Sequence, residues 1–483
     1  MEGFVTSLNG ILWSNPVIYT LLGVGLLFSI LTRFLQVRHI KDMILLMFQG
    51  KSSEAGVSSF QALSIALSGR VGTGNIAGVA TAIAFGGPGA VFWMWAIAFI
   101  GASSAFVEST LAQIYKAKQD GQYRGGPAYY IEKGIGWKWF AVLFAFAALI
   151  AMAVLMPGVQ ANSIALGIKN AFGIQPAITG LGIVLLLGFI IFGGTKRIAN
   201  AAQLIVPFMA LGYILLSVII VIMNITELPD VIALIFKSAF GVDSAFGGLI
   251  GMAISWGVKR GIYSNEAGQG TGAHPAAAAE VSHPAKQGLV QAFSVYIDTL
   301  FVCSATAFMI LFTGMYNTQA EDGSFIANNL KGMEAGPGFT QAAIDSVIPG
   351  FGAGFVAIAL FFFAFTTIMA YYYIAETNIT YLFRRDSKWT TLLLKIVIMA
   401  SSFYGAVKTA KVAWALGDAG LGIMVWLNVI AILILAKPAL VTLKDYERQK
   451  KQGLDPVFNP KALGIKNASY WEKEFTVDKK NIS

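Results

Sequence analysis

At 483 residues the chain is 56 % hydrophobic and only 12 % charged, and its mean hydropathy is +0.67, whereas soluble domains carry about 25 % charged residues. That excludes a soluble domain and leaves a multi-span membrane protein. The net charge of +9 does not point to nucleic acid, because the basic residues fall in short loops and the tail, as the positive-inside rule distributes them.

Met1 to Gly10 lacks a basic leader, so no cleavable signal is expected. The opening span is about 16–34, and Arg33, Arg38, His39 and Lys41 after it place the loop in the cytoplasm and the N-terminus outside. Between Val37 and Gly50, Ile40, Met43, Ile44 and Met47 recur at helical spacing. Two readings stand side by side there: a helix lying along the membrane surface, or a packed intracellular loop helix.

Span one, about 60–84, runs outward to the FGGPG turn, and span two returns over about 89–115 to Lys116, Lys118, Arg124 and Lys133. Span three, about 139–167, carries Pro157, Gln160 and Asn162. Span four (about 177–193) ends at Lys196 and Arg197, and span five (about 201–223) ends in an acidic loop with Glu227 and Asp230. The apolar stretch 246–257 is too short for a core that needs about 20 helical residues. It continues into GVKRGIYSNEAGQGT, so span six reads as a broken helix with its break near Ser255, Trp256 and Gly257.

Spans seven (about 288–314) and eight (about 353–378) flank an extracellular loop near 316–349. Arg384, Arg385 and Lys388 mark a cytoplasmic turn before spans nine (about 389–407) and ten (about 419–436). The tail, 437–483, is basic and polar and is expected to be cytoplasmic and partly disordered. The fold expected is an all-α integral membrane protein of about eleven helices. Residues 1–59 form a leading helix and loop, 60–223 a first five-helix set, and 224–436 a second of opposite orientation.

Span one carries the strongest chemical signal. At its centre stand Gly69, Arg70, Val71, Gly72, Thr73, Gly74 and Asn75, three glycines within six residues beside a charge. An interrupted helix leaves unpaired carbonyls that attract a cation before the break and free amides that attract an anion after it. Hydrocarbon cannot satisfy them, so the break faces protein, water or ligand. Two such helices opening two five-span sets are the sequence pointer to an inverted-repeat secondary transporter with its site at the midplane. A carboxylate-bearing solute with a small cation would satisfy both half-helix ends.

GTGNIAGVA followed by GGPGAVFWMWAIAFIG at 86–101, and SWGVKRGIYSNEAGQG at 255–270, resemble the signature segments of the alanine or glycine:cation symporter family, a likeness that runs from about Pro16 to Pro438. The resemblance implies a leucine-transporter-like fold, a prokaryotic plasma membrane, Na⁺ as coupling ion, no organic cofactor, and a small neutral amino acid as substrate. Glutamine, a D-amino acid, or H⁺ in place of Na⁺ is the runner-up. From another class, a passive channel would move substrate without a cation gradient. No HExxH, GxSxG or clustered histidine motif supports an enzyme. The letters do not speak to oligomeric state.

For the substrate carboxylate the candidates are Gly72, Thr73, Gly74 and Asn75, with small-residue helix packing as the alternative reading. Trp256 beside Gly257 would wall the pocket, Ser255 would meet the ammonium group, and Gln160 and Asn162 are further polar candidates at midplane depth. The adjacent hydroxyls Thr366 and Thr367 in FFFAFTTIMA are candidate Na⁺ ligands, although such hydroxyls often bond their own helix. By the resemblance, carbonyls around Ser68 and Val71 complete that site. Arg70, Glu108, Glu266, Asp298 and Glu376 would be costly in hydrocarbon unless paired. Arg70 either pairs with one of these acids and holds the break, or stands in for a second cation; Glu108 and Asp298 are the coupling or structural acids. Cys303 cannot form a disulfide within the chain, and His39, His274 and His283 do not suggest a metal site.

Overall fold

The computed structural model describes residues 2–50, 52–243, 245–384 and 388–475; Arg385 of the expected turn and the closing VDKKNIS lie outside the described residues. Among the described residues seven helices are long and apolar enough to cross a bilayer: Gly89–Ile114, Lys138–Phe172, Asn200–Met223, Pro284–Thr313, Gly352–Phe383, Lys388–Val407 and Ala410–Ile434. The chain is therefore a multi-pass membrane protein. The helix Thr195–Met223 turns Leu204, Phe208, Leu211 and Leu215 outward, Phe208 with 83 % of its surface free. A stripe of that size is stable only against hydrocarbon.

The leading segment is longer than 16–34. The helices Gly3–Leu12 and Asn15–Leu31, bent by 41° between them, are together long and apolar enough for one more crossing. Pro16 starts the second helix, where its missing N–H costs nothing.

The first break falls where the glycines put it. Ser58 caps the helix Ser59–Arg70, its hydroxyl accepting from the Gln61 amide (3.2 Å) while the Gln61 side chain accepts from the Ser58 amide (3.0 Å). The helix stops at Arg70, Val71 leaves helical geometry with ψ 88°, and the chain resumes as π-helical turns over Gly74–Gly78 and an α-helix over Val79–Gly86.

The second break is not at Ser255, Trp256 and Gly257. Those residues lie inside a continuous helix, Ile250–Asn265. The chain turns at Glu266, Gly268 and Gly270, with φ of 55°, 82° and 86°, before a short helix at Ala273–Ala278. Gly257 serves packing instead: a methyl there would lie 2.5 Å from the Ala90 carbonyl oxygen and 2.6 Å from the Trp93 Cβ. The charges at Lys259 and Arg260 do not end the helix, because both reach Asp418 of the helix Ala410–Ile434.

Span three extends to Phe172 and accommodates Pro157 by a π-helical turn over Ala151–Leu155, the Met156 amide reaching back to the Ala151 carbonyl at 2.9 Å. In the loop 316–349 a hairpin pairs Asn317–Gln319 with Phe325–Asn328, followed by the helix Pro337–Val347. The acidic loop after Met223 contains the helix Leu228–Ala239.

The part of the tail that is described, up to Phe475, is ordered, and the expected disorder of its closing residues lies outside the described residues. The helix Ala436–Lys451 lies on the basic face of the protein, and Phe458, Tyr470 and Trp471 are buried beyond it. The Trp471 indole donates to the Gln113 carbonyl at 2.8 Å. Lys116 stands over the rings of Tyr123 and Tyr470, its Nζ 4.3 and 4.5 Å from their centroids. Cation–π contact and buried aromatic area hold this segment down, which a reading of composition alone misses.

Candidate functional site

The two breaks meet in the middle of the protein. A methyl at Gly74 would lie 3.0 Å from the Ser264 Cα, and one at Gly69 would lie 3.2 Å from a Glu266 carboxylate oxygen. At Gly74 the neighbour is backbone, so a side chain there would push the two broken units apart; at Gly69 it is the end of the Glu266 side chain.

Helix interruption frees amides, and the structure shows what they meet. The Gly72 amide donates to Asn75 Oδ1 at 2.7 Å, and the Thr73 amide donates to Gln160 Oε1 at 3.0 Å. Gln160 in turn donates to the Tyr371 hydroxyl at 3.3 Å. Two neutral carbonyl oxygens thus occupy positions that suit the oxygens of a carboxylate. The Thr73 hydroxyl is buried beside them with no hydrogen-bond partner among the described residues. The nearest neighbour that a side chain at Gly72 would meet is the Thr367 hydroxyl.

One carboxylate ties the two broken units together. Asp298 Oδ1 accepts from Asn75 Nδ2 at 2.6 Å and from the Ser264 hydroxyl at 3.0 Å, and Oδ2 accepts from the Thr299 hydroxyl at 2.6 Å. The Thr306 hydroxyl donates to the Asn75 carbonyl at 2.6 Å. Every one of these donors is neutral, so Asp298 is held by hydrogen bonds rather than by an ion pair. Glu108 does similar work at the second break, accepting from the Gly270 amide at 3.0 Å and from Asn428 Nδ2 at 2.8 Å. Asn428 also donates to the Gly268 carbonyl at 2.9 Å, which fixes the turn from both sides.

Arg70 does not pair with an acid among the described residues. Its guanidinium donates to the Gln291 carbonyl at 3.1 Å and to the Ser294 hydroxyl, and its Nε and Nη2 have no partner there. It pins the end of the first half-helix to the helix Pro284–Val295. The reason is geometric: Gly272 packs directly against the guanidinium, and Arg70 reaches across it to a backbone carbonyl.

Of the candidate cation ligands, Thr366 and Thr367 both donate to the Phe363 carbonyl, at 2.9 and 3.0 Å, and Ser68 donates to the Ile65 carbonyl at 2.7 Å. Those hydroxyls bond their own helices, yet each retains lone pairs for a cation. Val71 is buried at the break itself. The structure therefore brings Gly72, Thr73, Asn75, Gln160, Thr367 and Asp298 together.

It keeps Ser255, Trp256 and Gly257 apart from them. Ser255 donates to Asn15 Oδ1 at 3.3 Å, and Trp256 stacks on Phe85 with ring centroids 4.8 Å apart. Ser264, Tyr371, Arg260 and Asp418 escaped the reading of the sequence. Arg260 grips Asp418 with two hydrogen bonds of 2.9 and 3.1 Å, beneath Trp414, whose ring centroid lies 4.2 Å from the guanidinium carbon. The signal for this pair was available, since each charge stands in an apolar span; the signal for the true second break was Gly268 and Gly270 flanking Gln269.

Freed amides, hydroxyls and a neutral-bonded carboxylate gathered between interrupted membrane helices define a membrane carrier. The model of the sodium:alanine symporter family matches residues 1–460. The chain is 84 % identical to the carrier protein YrbD of Bacillus subtilis (strain 168), over the full length of both. It is 60 % identical to the sodium/proton-dependent alanine carrier protein of Bacillus sp. (strain PS3), over 90 % of this chain and 98 % of that one. The sodium/alanine symporter AgcS of Methanococcus maripaludis is 37 % identical over 92 % of this chain and 97 % of its own. The chain belongs to the sodium:alanine symporter family, whose members are transporters and not enzymes.

Proposed function

We propose that this chain is a sodium-coupled symporter that imports alanine or glycine by alternating access. The observation that carries the reading is the pair of amides at Gly72 and Thr73, turned toward the side-chain oxygens of Asn75 and Gln160. A substrate carboxylate would replace those oxygens. The relatives' alanine transport supports the choice of a small side chain.

Na⁺ would sit between the end of the first half-helix, at Ser68 and Val71, and the hydroxyls of Thr366 and Thr367. Asp298 transmits occupancy of the site from one break to the other through Asn75 and Ser264. Arg260 and Asp418 close the path on the face opposite the basic loops, which is the outer one. Counting the helix Pro176–Ile191 and the two broken helices as crossings supports a leading span followed by two five-span sets in a leucine-transporter-like arrangement, with the basic face in the cytoplasm. The membrane potential supplies about 2.3 kcal/mol per charge at 100 mV, or roughly a fiftyfold concentration gradient. One cation per substrate is sufficient.

Proton coupling is the second reading, favoured by the buried Asp298, which has no cationic partner at hydrogen-bond distance among the described residues. Uptake of labelled alanine, glycine and glutamine into proteoliposomes separates the readings. Accumulation driven by an inward Na⁺ gradient and absent under a matched H⁺ gradient is expected. Accumulation under H⁺ alone would transfer coupling to a protonated carboxylate, and equilibration under every gradient would refute symport.

A further inference from the structure

A pocket of about 630 Å³ opens on the basic face between the end of the leading helix Asn15–Leu31 and the tail helix Ala436–Lys451. It is lined by Leu31, Arg33, Lys444, Glu447, Arg448 and Lys451 among others. Four cations thus surround one carboxylate, and that carboxylate is already engaged. Glu447 takes Arg33 on one oxygen at 2.7 Å, and Arg38 (2.7 Å) and His39 (3.0 Å) on the other. Lys444 and Lys451 are exposed, Arg448 is exposed while paired with Asp445 on its own helix, and Arg33 keeps 65 % of its side-chain surface free. The pocket is therefore an anion site in charge and in geometry.

Its depth in the membrane can be read from neighbouring residues. Leu26, Leu27, Ile30 and Leu31 on the leading helix are exposed and apolar up to the rim of the pocket. Just beyond it Phe34, Val37, Ile40, Ile44 and Phe48 form a second exposed apolar surface, while Met43, Leu46 and Met47 pack inward. Such a face is stable only at the boundary of headgroups and acyl chains. The boundary runs past Leu31, and the cations of Arg33, Lys444, Arg448 and Lys451 stand immediately above it.

We propose that this pocket binds the phosphate of an anionic phospholipid, with the lipid's acyl chains lying along Leu31 and Leu27 and its headgroup between Arg33 and the last turns of the tail helix. The single occupant that fits both the apolar rim and the cationic floor is a lipid; a free phosphate leaves the rim unused. Bound there, the lipid bridges the end of the leading helix and the tail helix, which otherwise meets the segment after Leu31 through Glu447 to Arg33, Arg38 and His39 and through Lys450 to Asp42.

The test is lipid retention by the full chain, purified in neutral detergent and read by native mass spectrometry with phosphatidylglycerol and phosphatidylcholine in competition. Each basic side chain near a membrane surface strengthens attraction to acidic lipid by about fivefold. The Lys444→Gln/Lys451→Gln variant is therefore expected to lose the preference for phosphatidylglycerol by roughly tenfold or more, while Lys444→Arg/Lys451→Arg keeps it. An unchanged thermal midpoint for both variants shows that they are folded. Equal retention of the two lipids by the natural sequence, or full preference in the Gln variant, would overturn the proposal. Complete displacement of the lipid by millimolar inorganic phosphate would also overturn it, since the site would then serve free phosphate.

Discussion

Substituting Gly72 with Ala tests the centre of the site most directly. The added methyl would overlap the Thr367 hydroxyl, and it would lie 3.1 Å from Gln160 Oε1 and 3.3 Å from the Thr367 Cβ. Both neighbours are buried, Thr367 fully and Gln160 to within 1 % of its surface. Neither has open space to retreat into, so the cost is that of overpacking a filled core, about 1–3 kcal/mol. If that cost falls on the substrate-bound state, the half-saturation constant for alanine rises by roughly 5- to 150-fold. A double-mutant cycle with Thr367→Ala isolates the contact. Removing the hydroxyl makes room for the methyl, so the pair should be less damaged than the two single changes added together, by about 1–2 kcal/mol. Uptake in proteoliposomes and thermal unfolding in detergent both read the cycle. Strict additivity would mean that the Gly72–Thr367 approach is irrelevant to the carrier, and the assignment of both residues to one site would fall.

Asp298→Asn preserves shape but removes the charge that takes hydrogen bonds from Asn75, Ser264 and Thr299; uptake should fall more than tenfold with the fold intact, and unchanged cation dependence would refute its coupling role. Trp256→Ala should lower stability by about 1 kcal/mol through loss of the Phe85 stack while leaving the order of substrate preference unchanged, a split that competition assays and melting curves separate. Burial alone would raise the Glu447 and Asp42 carboxyls, but hydrogen bonds from Arg38 and His39 to the first, and from Lys450 and His39 to the second, hold both below their ordinary values of 4.5 and 3.8. Stability from a carboxylate depressed on folding is complete above its unfolded value and is lost as pH falls through the lower folded one. The protection factors for hydrogen exchange across Ala436–Lys451 should therefore be high at pH 7 and fall only below about pH 4.5, and a fall already at pH 6 would refute the role of these two carboxylates.

The first break was legible because its cause is local: three glycines beside a charge cannot sustain a plain helix through an apolar run. The lipid-facing helices were legible because their long apolar stretches are equally local, and only their ends moved. The second break was misplaced because Gly257 and Gly268 look alike as letters. One accommodates the Ala90 backbone at close range, while the other adopts a positive φ. Long-range pairing was invisible: Arg260 is accommodated inside its helix by Asp418 and Trp414, both far away in the chain. The order of the tail had the same origin, since the aromatic surroundings of Lys116 come from Tyr123 on one side and Tyr470 on the other. Arg70 was expected to find an acid by charge alone, and it found a carbonyl because Gln291 and Ser294 lie within its reach.

Three of the segments around the site are wound as π-helices: Gly74–Gly78, which holds Asn75; Ala151–Leu155, just ahead of Gln160; and Tyr296–Cys303, which holds Asp298 and Thr299. A π-turn is an α-helix with one residue too many, and the surplus can migrate along the helix without breaking it. Each residue it passes swings by about 100°, the angle between neighbours on an α-helix. Shifted by a single position, the surplus in Tyr296–Cys303 would turn Asp298 away from Asn75 and Ser264 while the helix ends stayed in place. A surplus residue therefore lies beside each of the groups that join the two halves, and moving it would be a local change that leaves the helix ends where they are.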